Sequence, residues 1–441
     1  MTSPQGVAPA ALERVMGVRA LAASAVNMTV GSGIFVLPAT VAAAIGTGAP
    51  MAYLVCALAM ALVVLCFAEA GSRVSRSGGG YAYATAAFGP YVGMLAGTLL
   101  YTGAGVLASA SVMNVFVGTL AVIAPAFGAG VPRVAVMALV YGGLAWVNVR
   151  GARPGVRTME VFSFTKLVPL AALAALGLFA LRSTHVPLPT LPPMGALGRA
   201  SVTLIFAFLG FENSLNPSGE VKDPHRTVPR GVLLALVVVT VLYLTLQFVA
   251  QAVLGARLAT ETAAPLAAAA ETLVGPVGAT VILVGALIST FGYLTGDVLT
   301  SPRALLAMAE DGRLPSVLAR VHPRYRTPWV AILTHAVLAL TLAATGSFAT
   351  LIVIANVAVL LLYGTVSLGV FRLRARGVRT EGAPFVVPGG PLVPAGAAVV
   401  IAGLLSTVSE REWLWTGGTL IVASALYAAS RALARPAATA G

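Results

Sequence analysis

Phe208-Leu209-Gly210-Phe211-Glu212-Asn213, with Pro217 and Gly219 behind it, interrupts an apolar run otherwise suited to crossing a bilayer. A plain membrane anchor needs no glycine, carboxylate or amide at that depth. Unwound backbone within a membrane persists only where it is buried in protein or lines a wet cavity. A second interruption, Gly31-Ser32-Gly33-Ile34-Phe35 followed by Pro38, lies in the middle of the first apolar run. Taken alone, it reads equally well as a close-packing Gly-x-Gly face or as a broken helix. The two together decide the matter, because paired interruptions in corresponding spans mark the substrate site of a transporter. The runs at 18–181 and 200–371 each supply five spans, and an odd number per repeat inverts the second half relative to the first. A half-helix N-terminus offers N–H groups to a carboxylate, and freed carbonyls suit a cation. A zwitterion such as an amino acid needs both.

Working outward, about twelve apolar runs are expected to span, near 18–45, 50–72, 90–124, 132–149, 159–181, 200–218, 230–254, 277–309, 329–345, 348–371, 392–408 and 413–433. The third and eighth are longer than a bilayer requires. Of the 441 residues, 58% are hydrophobic and 9% charged, against about 25% charged in soluble domains. With the N-terminus placed in the cytoplasm, 21 Lys and Arg fall inside and 5 outside, and Lys166 within a span completes the 27. A single missed span would spoil this asymmetry, which is that of the positive-inside rule. The net charge of +13 is therefore a topology signal, and no nucleic-acid partner is expected. The long basic stretches, Pro217 to Arg230, Glu310 to Pro328 and Arg372 to Pro391, suit orientation and anionic-lipid contact. The expected division is a cytoplasmic tail (1–17), a ten-span core (18–371), a cytoplasmic loop (372–391) and two peripheral spans with a tail (392–441), both termini being cytoplasmic. No cleaved signal peptide is read in the N-terminal segment.

Enzymatic chemistry is not expected. Cys56 and Cys66 share one apolar run, and His185, His225, His322 and His335 are scattered, so neither set makes a metal site. No nucleophile–base cluster and no Walker motif appears, and no cofactor is implied. A channel or a non-transporting sensor is disfavoured by the paired breaks.

Four ionisable residues fall within spans, namely Glu69, Lys166, Glu212 and Asp297, and each costs about 2.5–3.5 kcal/mol at the bilayer centre on insertion scales. Lys166 lies about 10 Å into its span at 1.5 Å per residue. It either snorkels to the surface or acts in place, as the cation that loses its proton most readily on burial. Glu69 is expected to pair with Arg73 or Arg76. Glu212 either caps freed N–H groups or meets substrate.

Four ordered signatures now resemble the amino acid–polyamine–organocation superfamily of transporters: GSGIF at Gly31–Phe35; Ala68-Glu69-Ala70-Gly71 continuing to GGGYAYA at Gly78–Ala84; FAFLGFENSLNPSGEVKDPHRTVPRG from Phe206 to Gly231; and SPRALLAMAEDGRLP at Ser301–Pro315. The similarity runs over nearly the whole chain, with Glu310 standing where the family usually has arginine. It implies an all-α membrane fold of LeuT-like type, a 5+5 inverted repeat with broken first and sixth helices. It further implies an amino acid permease, with a cationic amino acid or polyamine exchanger as the alternative. Substrate would bind at Gly31, Ser32, Gly33, Ile34, Phe206 and Gly210, with Ser109, Glu212 and Asp297 as further contacts. Asp297 falls where arginine exchangers carry a site-lining aromatic, and the alternative reading is an aspartate paired with a basic group near the inner vestibule. Lys166 is similar to a fifth-span lysine that replaces sodium in proton-coupled members, and its ammonium is expected to bridge the first span to the eighth near Ser289. Proton is thus the expected coupling ion and a small amino acid or amine the partner, in a bacterial inner membrane.

Overall fold

A computed structural model describes residues 16–151, 161–162, 164–181, 190–380 and 382–433. The N-terminal tail to residue 15, Arg153, Arg157, Arg182, His185 and Arg435 lie outside the described residues. The chain is helical throughout, and among the described residues the β pairing is a single bridge between Met16 and Val221. Among the described residues, seven helices are long and apolar enough to cross a membrane, or eight if one bent pair counts as a span. Large apolar side chains face outward, among them Leu139 at 76% and Phe179 at 69% exposure. An outer surface of this kind belongs against lipid rather than water. The molecule is a multi-pass membrane protein.

The helices in order are α1 (Val18–Thr29), α2 (Gly33–Ile45), α3 (Ala49–Arg73), α4 (Gly80–Phe88), α5 (Pro90–Leu99), α6 (Ala108–Ile123), α7 (Gly130–Arg150), α8 (Leu167–Ala180), α9 (Met194–Phe208), α10 (Pro224–Leu254), α11 (Pro265–Val274), α12 (Pro276–Thr300), α13 (Pro302–Glu310), α14 (Trp329–Thr345), α15 (Phe348–Ala375), α16 (Leu392–Leu405) and α17 (Glu410–Leu433). The first apolar run is broken as its glycines suggest, with α1 ending at Thr29 and α2 starting at Gly33. The sixth ends at Phe208, where Leu209 turns extended and Gly210 takes φ +113°. The two overlong runs have physical reasons. Between α5 and α6, Leu100–Leu107 widens into a π-helix rich in glycine, a form common at functional sites. In the eighth run, Pro302 closes α12 and opens α13. The pair α16 and α17 is bent by 118°.

Glu69, near the end of α3, is fully buried and gathers a clasp around itself. It accepts from Arg73 Nε and Nη2 at 3.0 and 2.8 Å, from Arg374 Nε and Nη2 at 2.7 and 2.6 Å, and from the Val387 N–H at 2.9 Å. The expected partner Arg73 is there, and Arg374 of α15 takes the place considered for Arg76. Arg76 instead joins Asp311, which also accepts from the Tyr81 hydroxyl at 2.5 Å. That hydrogen bond raises the Arg76 guanidinium above its ordinary range, and burial with the same acceptor raises the Tyr81 phenol. Both groups therefore keep their protons through neutral pH. Glu69→Gln removes the charge from two arginine pairs, each hydrogen bond to a charged group being worth about 1.5–3 kcal/mol. The variant is expected to melt several degrees below wild type in detergent. A melting curve that superimposes on wild type would mean that the clasp contributes nothing.

Candidate functional site at the two helix breaks

The two interruptions meet. A Cβ built on Gly33 would stand 2.8 Å from Ala207 Cα, and one on Gly210 would stand 2.1 Å from the Met28 carbonyl oxygen. Glycine is required at both places because backbone passes against backbone there. Gly31, Ser32, Gly33 and Ile34 are all buried. The N–H groups of Ser32, Gly33 and Ile34 stand at the first turn of α2, where helix geometry supplies no acceptor. The Ser32 hydroxyl caps none of them and is buried without a partner. The unpaired N–H groups at the start of α2, with the unpartnered Ser32 hydroxyl at its N-cap, make a helix N-terminus of the kind that suits a carboxylate.

On the other side of the break, the carbonyls at the end of α1 are held by a cation. Lys166 is fully buried, and its Nζ donates to the Asn27 carbonyl at 2.5 Å and the Val30 carbonyl at 2.6 Å. The Ser289 hydroxyl of α12 donates to the same Val30 oxygen at 3.1 Å. Lys166 is therefore buried rather than turned to the surface, and its amino group, the broken first run and Ser289 lie together. The Tyr243 hydroxyl donates to the neighbouring Thr29 carbonyl at 3.1 Å.

The carboxylates behave differently. Glu212 is fully buried and folds back on its own loop. Its oxygens accept from the Gly210 N–H at 3.1 and 3.0 Å and from the Tyr363 hydroxyl at 2.8 Å. This is the capping role, with both oxygens engaged. Asp297 also has partners of its own: His335 Nε2 at 2.9 Å and the Ser301 hydroxyl at 2.5 Å. One turn earlier on α12, Tyr293 lies against Gly31, whose built Cβ would meet the ring at 3.3 Å. The aromatic beside the first break is Tyr293, while Asp297 is engaged by His335 and Ser301. The sequence carried a usable signal, since Tyr293 stands four residues after Ser289 and shares its helix face. The Ser109 hydroxyl is turned to Tyr141 at 3.0 Å. Phe206 is buried edge-on against Phe348, with ring centroids 5.6 Å apart.

The π-helix also serves the breaks. Its Ala104 carbonyl accepts from Asn213 Nδ2 at 3.0 Å and from the Tyr293 hydroxyl at 3.4 Å. Sequence reasoning missed this acceptor because a π turn leaves no composition signature beyond its glycines. No cluster of three or more metal-ligating side chains occurs among the described residues.

Residues 16–429 match the amino acid permease family model. The chain is 29% identical to a serine/threonine exchanger of Bacillus subtilis (strain 168) over 396 residues, covering 87% of this chain and 89% of the relative. It is 27% identical to a methylthioribose transporter of the same organism over 435 residues, 93% of each. It is 28% identical to a branched-chain amino acid permease of Lactococcus lactis subsp. cremoris (strain MG1363) over 440 residues, 94% of each. These relatives are transporters, and with the broken helices and the match over nearly the whole length they give the chain its place: it belongs to the amino acid permease family of the amino acid–polyamine–organocation superfamily, and is a transporter rather than an enzyme.

Proposed function

We propose that the protein is a proton-coupled amino acid symporter working by alternating access. The observation that carries this reading is the Lys166 ammonium, seated on the Asn27 and Val30 carbonyls beside Ser289. A cation covalently tied to the chain stands among freed helix-end carbonyls and a hydroxyl, the type of ligand set that hard cations choose. Loss of its proton in each cycle releases those carbonyls, and so couples a proton to the shape of the first helix break. The core is a ten-span unit of LeuT-like type (18–371), made of 18–181 and an inverted 200–371, with two peripheral spans after it. The placement of Lys and Arg supports cytoplasmic termini, and the protein resides in a bacterial inner membrane.

Substrate binds between the Gly31–Ile34 turn and the end of α9. Its carboxylate meets the N–H groups of the first turn of α2, and its ammonium meets the last carbonyls of α9. The ring of Tyr293 bounds the site beside Gly31, and Phe206 bounds it from α9. A neutral amino acid is the better fit than a cationic one. Both intramembrane carboxylates that could balance a second positive charge are occupied, Glu212 by Gly210 and Tyr363 and Asp297 by His335 and Ser301.

A thermal-shift screen of the purified protein tests the reading, because a ligand that binds the folded state stabilises it by about 2.7 kcal/mol at a hundredfold excess over Kd. Neutral amino acids are expected to raise the melting temperature by a few degrees, while arginine and polyamines leave it in place. Uptake of the stabilising compound into liposomes is then expected to rise with an inward proton gradient. Stabilisation by polyamines alone, or uptake indifferent to the gradient, overturns this assignment in favour of an exchanger.

A further inference from the structure

Asp297 and His335 form a buried hydrogen-bonded pair that the proposed transport cycle does not use. Both side chains are 0% exposed. They join α12 to α14 at 2.9 Å through His335 Nε2 and Asp297 Oδ2, with the Ser301 hydroxyl as the second donor to the carboxylate. An ionisable residue inside a membrane is costly enough to point to function, with its partner named. Two further atoms in the cluster are conspicuous. His335 Nδ1 and the Tyr101 hydroxyl are both buried without a hydrogen-bond partner, and their rings meet edge-on with centroids 5.9 Å apart. One is a proton acceptor in the neutral imidazole and the other a proton donor, so a single water between them would satisfy both.

We propose that His335, held in place by Asp297, is a second proton-binding residue of the transporter, distinct from Lys166, and that it takes its proton at Nδ1 through the Tyr101 hydroxyl. With Nε2–H donated to Asp297, Nδ1 carries the lone pair. The Tyr101 hydroxyl gives its proton to Nδ1 and is itself reprotonated, so the net gain of one proton makes the imidazolium and turns the pair from net negative to net neutral. Histidine is the side chain whose ordinary titration falls between pH 5 and 8.

The groups facing the pair are few. Tyr101 comes from the π-helix, Tyr141 from α7 and Tyr293 from the preceding turn of α12, all within electrostatic reach of Asp297. Helix α6 and the Ser316–Ala319 turn contain no titratable residue. From α13, Arg303 is turned to the Leu299 carbonyl. Lys166 is engaged at the Ser289 end of α12, Glu212 is engaged by Gly210 and Tyr363, and Glu271 of α11 is exposed. The pair connects to the helix breaks through the π-helix. Gly105 lies against Ser301, and the adjacent Ala104 carbonyl accepts from both Asn213 and Tyr293. A change of charge at His335 is therefore transmitted to the wall of the site.

The role in transport rests on the proton-coupled reading above, whereas the binding of the proton does not, and two measurements separate them. In full-length protein labelled with 15N-histidine, with His335→Gln used to assign the signal, the His335 ring is expected to change protonation between about pH 5 and 8. Tyr101→Phe, which keeps the ring contact but removes the hydroxyl, is expected to shift that midpoint. In liposomes, His335→Gln is expected to at least halve the ratio of uptake at about pH 5.5 to that at about pH 7.5, while counterflow continues. A ring that keeps one protonation state across the range overturns the proposal. A titrating ring with an unchanged uptake ratio in His335→Gln overturns its part in transport. Wild-type uptake without any pH dependence defeats the symport reading and leaves the ring titration to decide the proton site.

Discussion

Lys166→Ala is expected to lose the pH dependence of uptake and to reduce proton-driven accumulation about tenfold or more. The two carbonyls that Lys166 holds have unequal alternatives. The Val30 oxygen keeps the Ser289 hydroxyl at 3.1 Å, but the ammonium is the side chain that reaches the Asn27 oxygen. Each hydrogen bond to a charged group is worth about 1.5–3 kcal/mol, and 1.4 kcal/mol is a factor of ten in an equilibrium. Removing the ammonium therefore changes the balance between closed and open forms of the break by an order of magnitude at least. It also removes the proton itself, so the remaining exchange should run equally at acid and neutral pH. The measurement is substrate uptake and counterflow in liposomes at fixed internal pH and a series of external values. If the alanine variant keeps the full wild-type pH profile, Lys166 is only a structural tie and the coupling proton resides elsewhere. His335→Gln, assayed beside it, tells whether that place is the α12–α14 pair.

Much of this site was legible from residue types, and the reasons are local. Glycine, serine and proline in the middle of apolar runs conflict with a continuous helix, so Gly31–Gly33 and Gly210 announce their breaks without any tertiary knowledge. Lys166 stands out because a deep lysine needs a specific partner, while its link to the first break is what the family resemblance implies and not what residue types give. What sequence could not give depends on where side chains turn. Glu212 and Asp297 carry the charge that a cationic substrate would need, yet each is taken up by a group distant in sequence, Tyr363 for Glu212 and His335 for Asp297. His335 was read only as one of four scattered histidines, because its partner Asp297 lies on another helix. Tyr293 was not singled out, because an aromatic in an apolar helix reads as core packing until its neighbour Gly31 is known. The π-helix at Leu100–Leu107 depends on contacts with the sixth-run break and α12, which no window of its own sequence contains.

Gly210→Ala is expected to be the most damaging single methyl group in the molecule. The residue sits at φ +113°, where L side chains are strained, and its added Cβ would stand 2.1 Å from the Met28 oxygen, 2.6 Å from the Met28 carbonyl carbon and 3.2 Å from the Thr29 nitrogen. Those atoms are backbone of the opposite break and cannot rotate aside. Relief requires the two broken helices to separate, which withdraws α1 from the Lys166 and Tyr243 side chains that hold its last carbonyls. Overpacking alone costs about 1–3 kcal/mol and the strained backbone about 1–3 kcal/mol more. A loss of about 4 kcal/mol, a large share of a typical stability of about 5–15 kcal/mol, is the expected outcome, seen as a much lower melting temperature in mild detergent. Gly31→Ala should be milder, since its built Cβ meets a tyrosine ring at 3.3 Å that can yield. Gly118→Ala, on α6 with nothing within 4 Å, should be neutral or stabilising, because alanine favours a helix by about 1 kcal/mol over glycine. The order Gly210, Gly31, Gly118 separates contact between the two breaks from a general need for small residues in membrane helices. A general need would make the three substitutions alike. Wild-type uptake by Gly210→Ala would mean that the breaks do not touch, and the binding site built between them would have to be abandoned.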